Sequence, residues 1–285
     1  MSNSLAGNSD NYRRRKIMDK AMTVVAYACT ILAVVFLLWV LAYVVIKGIG
    51  AWDLSFFTDT TALFGDGGGI ANAMYGTLVI VLLAVAMGLP AGIMAGIFLA
   101  EYGDNRFGSF TRFIADTMAG IPSIVVGLVV YGLLVLLFGY SGFAGAVSLA
   151  ILMLPIITRT TEGVIRLVPQ DVREASLALG IPQWKTTLRV VLPTAAAGIV
   201  TGVFLATARA AGETAPLIFT ILGSSFWNKN PFEGAMQAVS LYVYQASANP
   251  FAAVQEAAWG AALVLVIFVM IFNLAARLVA LRRKI

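Results

Sequence analysis

The chain has 285 residues, 60% of them apolar and 12% charged, with a mean hydropathy of +0.90. A soluble protein of this length carries roughly twice that share of charge, and the short alternating segments of a β-barrel are missing, so the class is a polytopic helical membrane protein. Histidine is absent and Cys29 stands alone, which removes the commonest metal ligand and general base and any disulfide framework; the net charge of +5 sits in short segments beside apolar blocks, as a topology signal and not as a nucleic-acid surface.

Residues 1–20 are polar, end in a basic run from Arg13 to Lys16, and are expected to be a mobile cytoplasmic segment. The apolar run that follows is too long for the core of a cleaved signal peptide and reads as a retained membrane helix. Six spans are expected: Ala21–Ile46, Ala73–Leu99, Phe113–Phe138, Phe143–Ile157, Ala195–Leu222 and Val254–Val279. Each is judged against the twenty or so residues that cross about 30 Å of hydrocarbon. The fourth is short and contains Pro155. Together residues 21–285 make one transmembrane domain. With the N-terminus inside, sixteen of the nineteen basic residues fall in inner segments, which places both termini in the cytoplasm.

The outer connections carry Trp52, Trp227, Tyr242 and Tyr244, which suit an interfacial aromatic belt, and Ala235–Ser247 suits a short interfacial helix. The run Gly65-Asp66-Gly67-Gly68-Gly69 is either a flexible connector or a phosphate cradle, and no Lys-Ser/Thr follows it. Small residues recur every fourth position at Gly88, Gly92 and Gly96, and again at Gly198, Gly202, Ala206 and Ala210. That spacing lets helix backbones approach closely in lipid. Arg112 and Asp116, four apart, are expected to pair at the inner end of span three, and Glu256 to serve as a carboxylate at the start of span six.

Residues 159–193 form the most informative connection, predicted as two surface helices. Pro169 suits the first turn of one and Gly180 a left-handed stop after it, Pro182 starts the second, and Pro193 closes that one before span five. Leu177, Ala178 and Leu179 would then present an apolar knob at a charged surface, for either a protein groove or lipid headgroups. Glu174, Ala175 and Ser176, then Gly180, then Val190, Leu192 and Pro193 follow the spacing of the cytoplasmic loop in bacterial ABC importer permeases. The chain resembles that family, with Ser176 and Val190 as mild departures. The resemblance implies a six-helix importer permease of MetI-like architecture, whose loop (Glu174, Ala175, Ser176, Leu177, Ala178, Gly180) docks on a cytoplasmic ATPase dimer.

A narrower resemblance is to the A-type permeases of the Pst phosphate transporter. It rests on AGIPSIVVGL at 119–128, ARAAGETAPLIFTI at 208–221 and SLYVYQASANP at 240–250. This implies phosphate as substrate, a second, C-type permease and an external phosphate-binding protein as partners, and no cofactor, metal or catalytic residue. Arg209 and Glu213 are costly in a span, by roughly 2.5–3.5 kcal/mol each on insertion scales, and so are expected to face protein or water. They read either as a structural pair or as a site on an anion pathway, and Pro216 is expected to bend the helix beside them. No Gly-x-x-x-x-Gly-Lys-Ser/Thr occurs, so ATP would be hydrolysed by another chain. An importer for another solute, a self-contained ion-coupled transporter and an intramembrane enzyme are the competing classes. The second would favour matched broken helices in an inverted repeat, the third a nucleophile with its base.

Overall fold

The computed structural model describes residues 6–62, 65 and 68–282, and two units divide the chain at Lys47. Helix α1 (Ala6–Gly48), 43 residues long, supplies the described part of the first unit as far as Lys47. Its polar residues from Ala6 to Lys20 are helical and continue into the apolar run. Thr23 and Thr30 return their hydroxyls to the carbonyls four residues earlier, so neither costs an unpaired polar group along the helix.

The second unit begins with short α2 (Leu54–Thr58), then α3 (Ala71–Glu101) and α4 (Arg106–Gly120). Asp53 caps α2. The Phe56 backbone N–H, and after it the Ser55 hydroxyl, hold the Asp53 carboxylate below its usual range. Asn105 caps α4 in the same way, accepting from Gly108 N–H at 2.8 Å. Next come α5 (Ser123–Val130), a π-turn at Tyr131–Val135 and α6 (Leu136–Phe138). Span three, expected as one helix over Phe113–Phe138, is therefore broken: α4 meets the helix 123–138 at 101°. Pro122 forces Ile121 into the extended region and ends α4 there.

Helix α7 (Gly142–Arg166) runs through Pro155 for 25 residues, ten more than expected for span four. It is the central helix, the most buried of the long ones. A Cβ on Gly92 would stand 2.8 Å from Ile157 Cβ and one on Gly96 2.5 Å from Thr161 Cβ, so α3 packs backbone-close on α7. Gly198 and Gly202 do the same against Val164 and Thr160. The small-residue stripes are packing surfaces, as expected.

The chain continues through α8 (Gln170–Ala178) and α9 (Gln183–Thr186), a second π-turn at Thr187–Val191 and α10 (Leu192–Ala211). Gln183–Ala211 is one long helix. Pro193 lies inside it near the start of α10, and does not close a separate surface helix. Last come α11 (Ala215–Thr220), α12 (Val239–Ser247) and α13 (Ala252–Arg282). Span five, expected over Ala195–Leu222, is thus interrupted at Gly212–Thr214. Ile80, Leu149, Met153, Ile157, Leu217 and Ile221 form the main core between α3, α7 and α11. A second core joins Phe56, Ile70, Tyr242, Val254 and Ala261. Tyr242 is fully buried in it, so α12 is packed into the protein on that face, and Tyr242 is not part of an interfacial belt; Trp227 and Tyr244 are exposed.

Candidate functional site

Among the described residues, three groupings with charged side chains stand out in this apolar unit. The first is the α8 loop. Pro169 precedes α8 as its N-cap, and the helix stops at Gly180 with φ +74°. Ile181 N–H donates to Ser176 O (3.3 Å) and Gly180 N–H to Leu177 O (2.9 Å), the paired bonds of a glycine-closed helix end. The left-handed stop foreseen at Gly180 is present. Glu174, Ala175, Leu177, Ala178 and Leu179 are exposed, Leu179 at 80%. Ser176 is the exception among the expected docking residues. It is buried, and its hydroxyl shares a 2.9 Å bond with Thr186, which fastens α8 onto α9.

The same loop is anchored from beneath by Glu101, whose side chain is 5% exposed. Arg173 reaches Glu101 Oε1 at 2.9 and 3.2 Å, and also donates to the carbonyls of Val168 and Ile165 at the end of α7. Thr187 and Gln183 contact the carboxylate and the carbonyl of Glu101.

The second grouping is centred on Glu162, whose side chain is 6% exposed. Arg112 Nε lies 2.7 Å from Oε1, Arg159 2.8 Å from Oε2 and Arg166 3.3 Å from Oε1. Arg112 also donates to the carbonyls of Leu99 and Gly103, the last of the α3 turn, where a cation is favoured. The expected Arg112–Asp116 pair does not form: Asp116 pairs with Arg159 at 2.9 Å. With α7 ten residues longer than expected, Glu162 becomes a buried helical carboxylate, and its three guanidiniums meet the demand that a buried charge be partnered. Arginines 112, 159, 166 and 173 mark one end of the unit.

The third grouping is Arg209 and Glu213. Arg209 closes α10, and Glu213 lies just past it, in the break that Gly212 opens and that ends before Pro216 in the first turn of α11. The interruption beside Pro216 is as expected, although the two charges do not share one continuous helix. Their closest approach is 3.7 Å; Arg209 is 68% exposed and Glu213 19%. Ser240 of α12 donates to Glu213 O at 2.9 Å and so steadies the break. Arg209 is about 30 Å along the helix from Arg189, at 1.5 Å per residue. It therefore lies far from the arginine-rich end. Glu256 lies beyond the first turn of α13, beside Gly50.

In the glycine-rich run, Asp66 and Gly67 lie outside the described residues. Gly69 would place a Cβ 2.7 Å from the carbonyl oxygens of Phe56 and Ser55, so it serves a close backbone approach and not an open cradle. Sequence reasoning missed the Glu101–Arg173 pair and the three arginines around Glu162. The available signal was four arginines and two glutamates flanking the spans on one side.

Long apolar helices with buried arginine–carboxylate pairs and a glycine-closed helical loop gathered at one end are the features of an integral membrane protein with a polar docking face. The chain belongs to the family of binding-protein-dependent transport system inner membrane components, which it matches over residues 92–285. It is 42% identical over 277 residues to the phosphate transport system permease protein PstA of Xylella fastidiosa, covering 96% of each chain. It is 40% identical over 274 residues to the protein of the same name from Haemophilus influenzae, with 95% of this chain and 96% of that one covered. The fold is similar to a chain of the MetNI methionine ABC transporter in an inward-facing conformation, with a TM-score of 0.58, 20% identity, and 74% and 93% of the two chains covered.

Proposed function

We propose that the chain is one of two permease subunits of an ABC importer that moves inorganic phosphate inward. The substrate follows from the names of relatives 42% and 40% identical along nearly the whole chain. The observation that carries the mechanism is the α8 loop: an exposed apolar knob, closed by Gly180 and fastened to the ends of three long helices. A knob of that kind fits a groove on a cytoplasmic ATPase dimer, and ATP is hydrolysed there and not in this chain. In this reading residues 1–20 are the cytoplasmic lead, residues 21–285 are the permease domain, and the coupling loop covers 159–193. The arginine-rich end faces the cytoplasm together with both termini, in keeping with the positive-inside rule.

Arg209 fits a pathway role because two thirds of it is exposed on the isolated chain while it stands in an apolar helix. Lipid is an expensive neighbour for that charge. A homologous C-type permease would cover it, and phosphate released by an external binding protein would pass between the two subunits. Glu213 offsets the positive charge and keeps the ion from being trapped, since conduction requires binding loose enough for release.

The test is Gly180→Val. A β-branched residue at φ +74° costs roughly 1–3 kcal/mol and opens the α8 stop. No neighbour lies within 4 Å of a Cβ at this position, so the effect is one of backbone and not of crowding. Normal membrane insertion with weakened ATPase association and lost uptake is expected. Normal ATPase binding and transport would refute the docking role.

A further inference from the structure

We propose that Glu101 is the joint through which movement of α8 passes into the spanning helices. The proposal rests on the reading that α8 docks an ATPase, and goes beyond it by naming where the load enters the permease.

Glu101 is the last residue of α3, and its side chain is almost wholly buried. One carboxylate oxygen takes both Nε and Nη2 of Arg173, at 3.2 and 2.9 Å. The other lies 3.3 Å from the Thr187 hydroxyl, whose proton is shared with Gln183 O at 3.0 Å, and the Glu101 carbonyl receives the Gln183 amide at 3.2 Å. Arg173 is the α8 half of this contact. Two of its three remaining N–H donors go to Val168 O (2.6 Å) and Ile165 O (2.8 Å), which close the end of α7. A single buried ion pair therefore gathers the end of α3, the end of α7 and the start of the helix 183–211 around one side chain of α8.

Two physical features suit this pair to transmit displacement. A guanidinium held by one carboxylate and two carbonyls has its direction fixed, so a tilt of α8 cannot be absorbed by side-chain rotation. Burying such a pair contributes little net stability over an apolar replacement, so stability alone gives little reason to retain it. On the receiving side, Thr187 opens the π-turn 187–191, where the helical ladder is already irregular and a bend is cheap. Thus α3 and α7 are pulled at their ends, while α10 is pulled across a ready-made hinge. Glu101 touches neither substrate nor ATP; it is a positioning residue.

The experiment uses the assembled importer in nanodiscs, with its second permease, ATPase and phosphate-loaded binding protein. Glu101→Gln, Arg173→Gln and the double variant are compared for ATPase co-purification, for ATPase rate with and without the loaded binding protein, and for uptake in liposomes. Co-purification and the unstimulated rate should be kept. Stimulation by the loaded binding protein should fall by about tenfold in each single variant. The double variant should lose no more than the worse single one, because the two residues act as a unit. Stimulation within about twofold of the wild type, or losses that multiply in the double variant, would overturn the proposal. So would failure of all three variants to assemble, which would assign the pair to folding. Leu177→Ser, on the exposed face of α8, separates the two levels: it should abolish ATPase co-purification. Retained co-purification there would overturn the docking reading and the joint with it, whereas normal stimulation in Glu101→Gln overturns the joint alone.

Discussion

Alanine at Gly96 and alanine at Gly163 should change stability in opposite directions. Both glycines are helical, and in each case alanine gains about 1 kcal/mol of helix propensity. At Gly163 no atom lies within 4 Å of the new Cβ, so that gain is realised almost in full. At Gly96 the Cβ would stand 2.5 Å from Thr161 Cβ and 2.7 Å from the Thr158 carbonyl oxygen. A backbone oxygen cannot rotate away, so α3 must lift off α7, an overpacking cost near the upper end of about 1–3 kcal/mol. Subtracting the propensity gain leaves Gly96→Ala destabilised by about 2 kcal/mol, or a fall in Tm of roughly 4–8 °C on the scale of globular domains of 150–250 residues. Thermal unfolding of the purified protein in nanodiscs, followed by tryptophan fluorescence, measures both. Equal shifts of the same sign, or a stabilised Gly96→Ala, would refute the account of the α3–α7 contact as a backbone-close seam.

Two further results are expected. Arg209→Gln with Glu213→Gln removes both charges and leaves two amides able to bond each other; the complex should assemble and its ATPase should respond to the loaded binding protein, yet phosphate should not cross, and restored uptake would reduce the pair to a structural one. Trp227→Cys and Gln183→Cys, each in a Cys29→Ser background, should react with an impermeant maleimide from opposite faces of the membrane, and equal labelling from outside intact cells would overturn the orientation.

The spans were legible where hydropathy alone decides them: α3 and α13 lie close to their expected limits, because α3 holds no charge between Ala71 and Ala100 and α13 runs apolar from Ala257 to Phe272. The stop at Gly180 was legible because only glycine takes a left-handed position cheaply at the end of a helix. Hydropathy failed at spans three and five. Pro122 and the Gly212–Thr214 break lie within stretches apolar enough to read as continuous, and the 101° bend at Ile121 is a matter of backbone direction. The pairing at the arginine-rich end was hidden for a different reason. Arg112 meets Glu162 across fifty positions and Arg173 meets Glu101 across seventy-two. Only the packing of α3 and α4 on α7, with Arg173 reaching back from α8, brings them together, whereas local spacing offered the nearer but unformed Arg112–Asp116 pair. Tyr242 was misplaced because an aromatic near a span end looks alike whether it faces headgroups or the α13 core.

The central claim is that this chain carries phosphate only as part of an ATP-driven assembly. Proteoliposomes holding the chain, its second permease and the ATPase, with ATP inside and phosphate-loaded binding protein outside, test it most directly. Phosphate should accumulate in the lumen, and leaving out this chain, the ATPase or ATP should each stop it. Phosphate accumulation without the ATPase, or ATP-driven uptake of a different solute with phosphate left outside, would contradict the account.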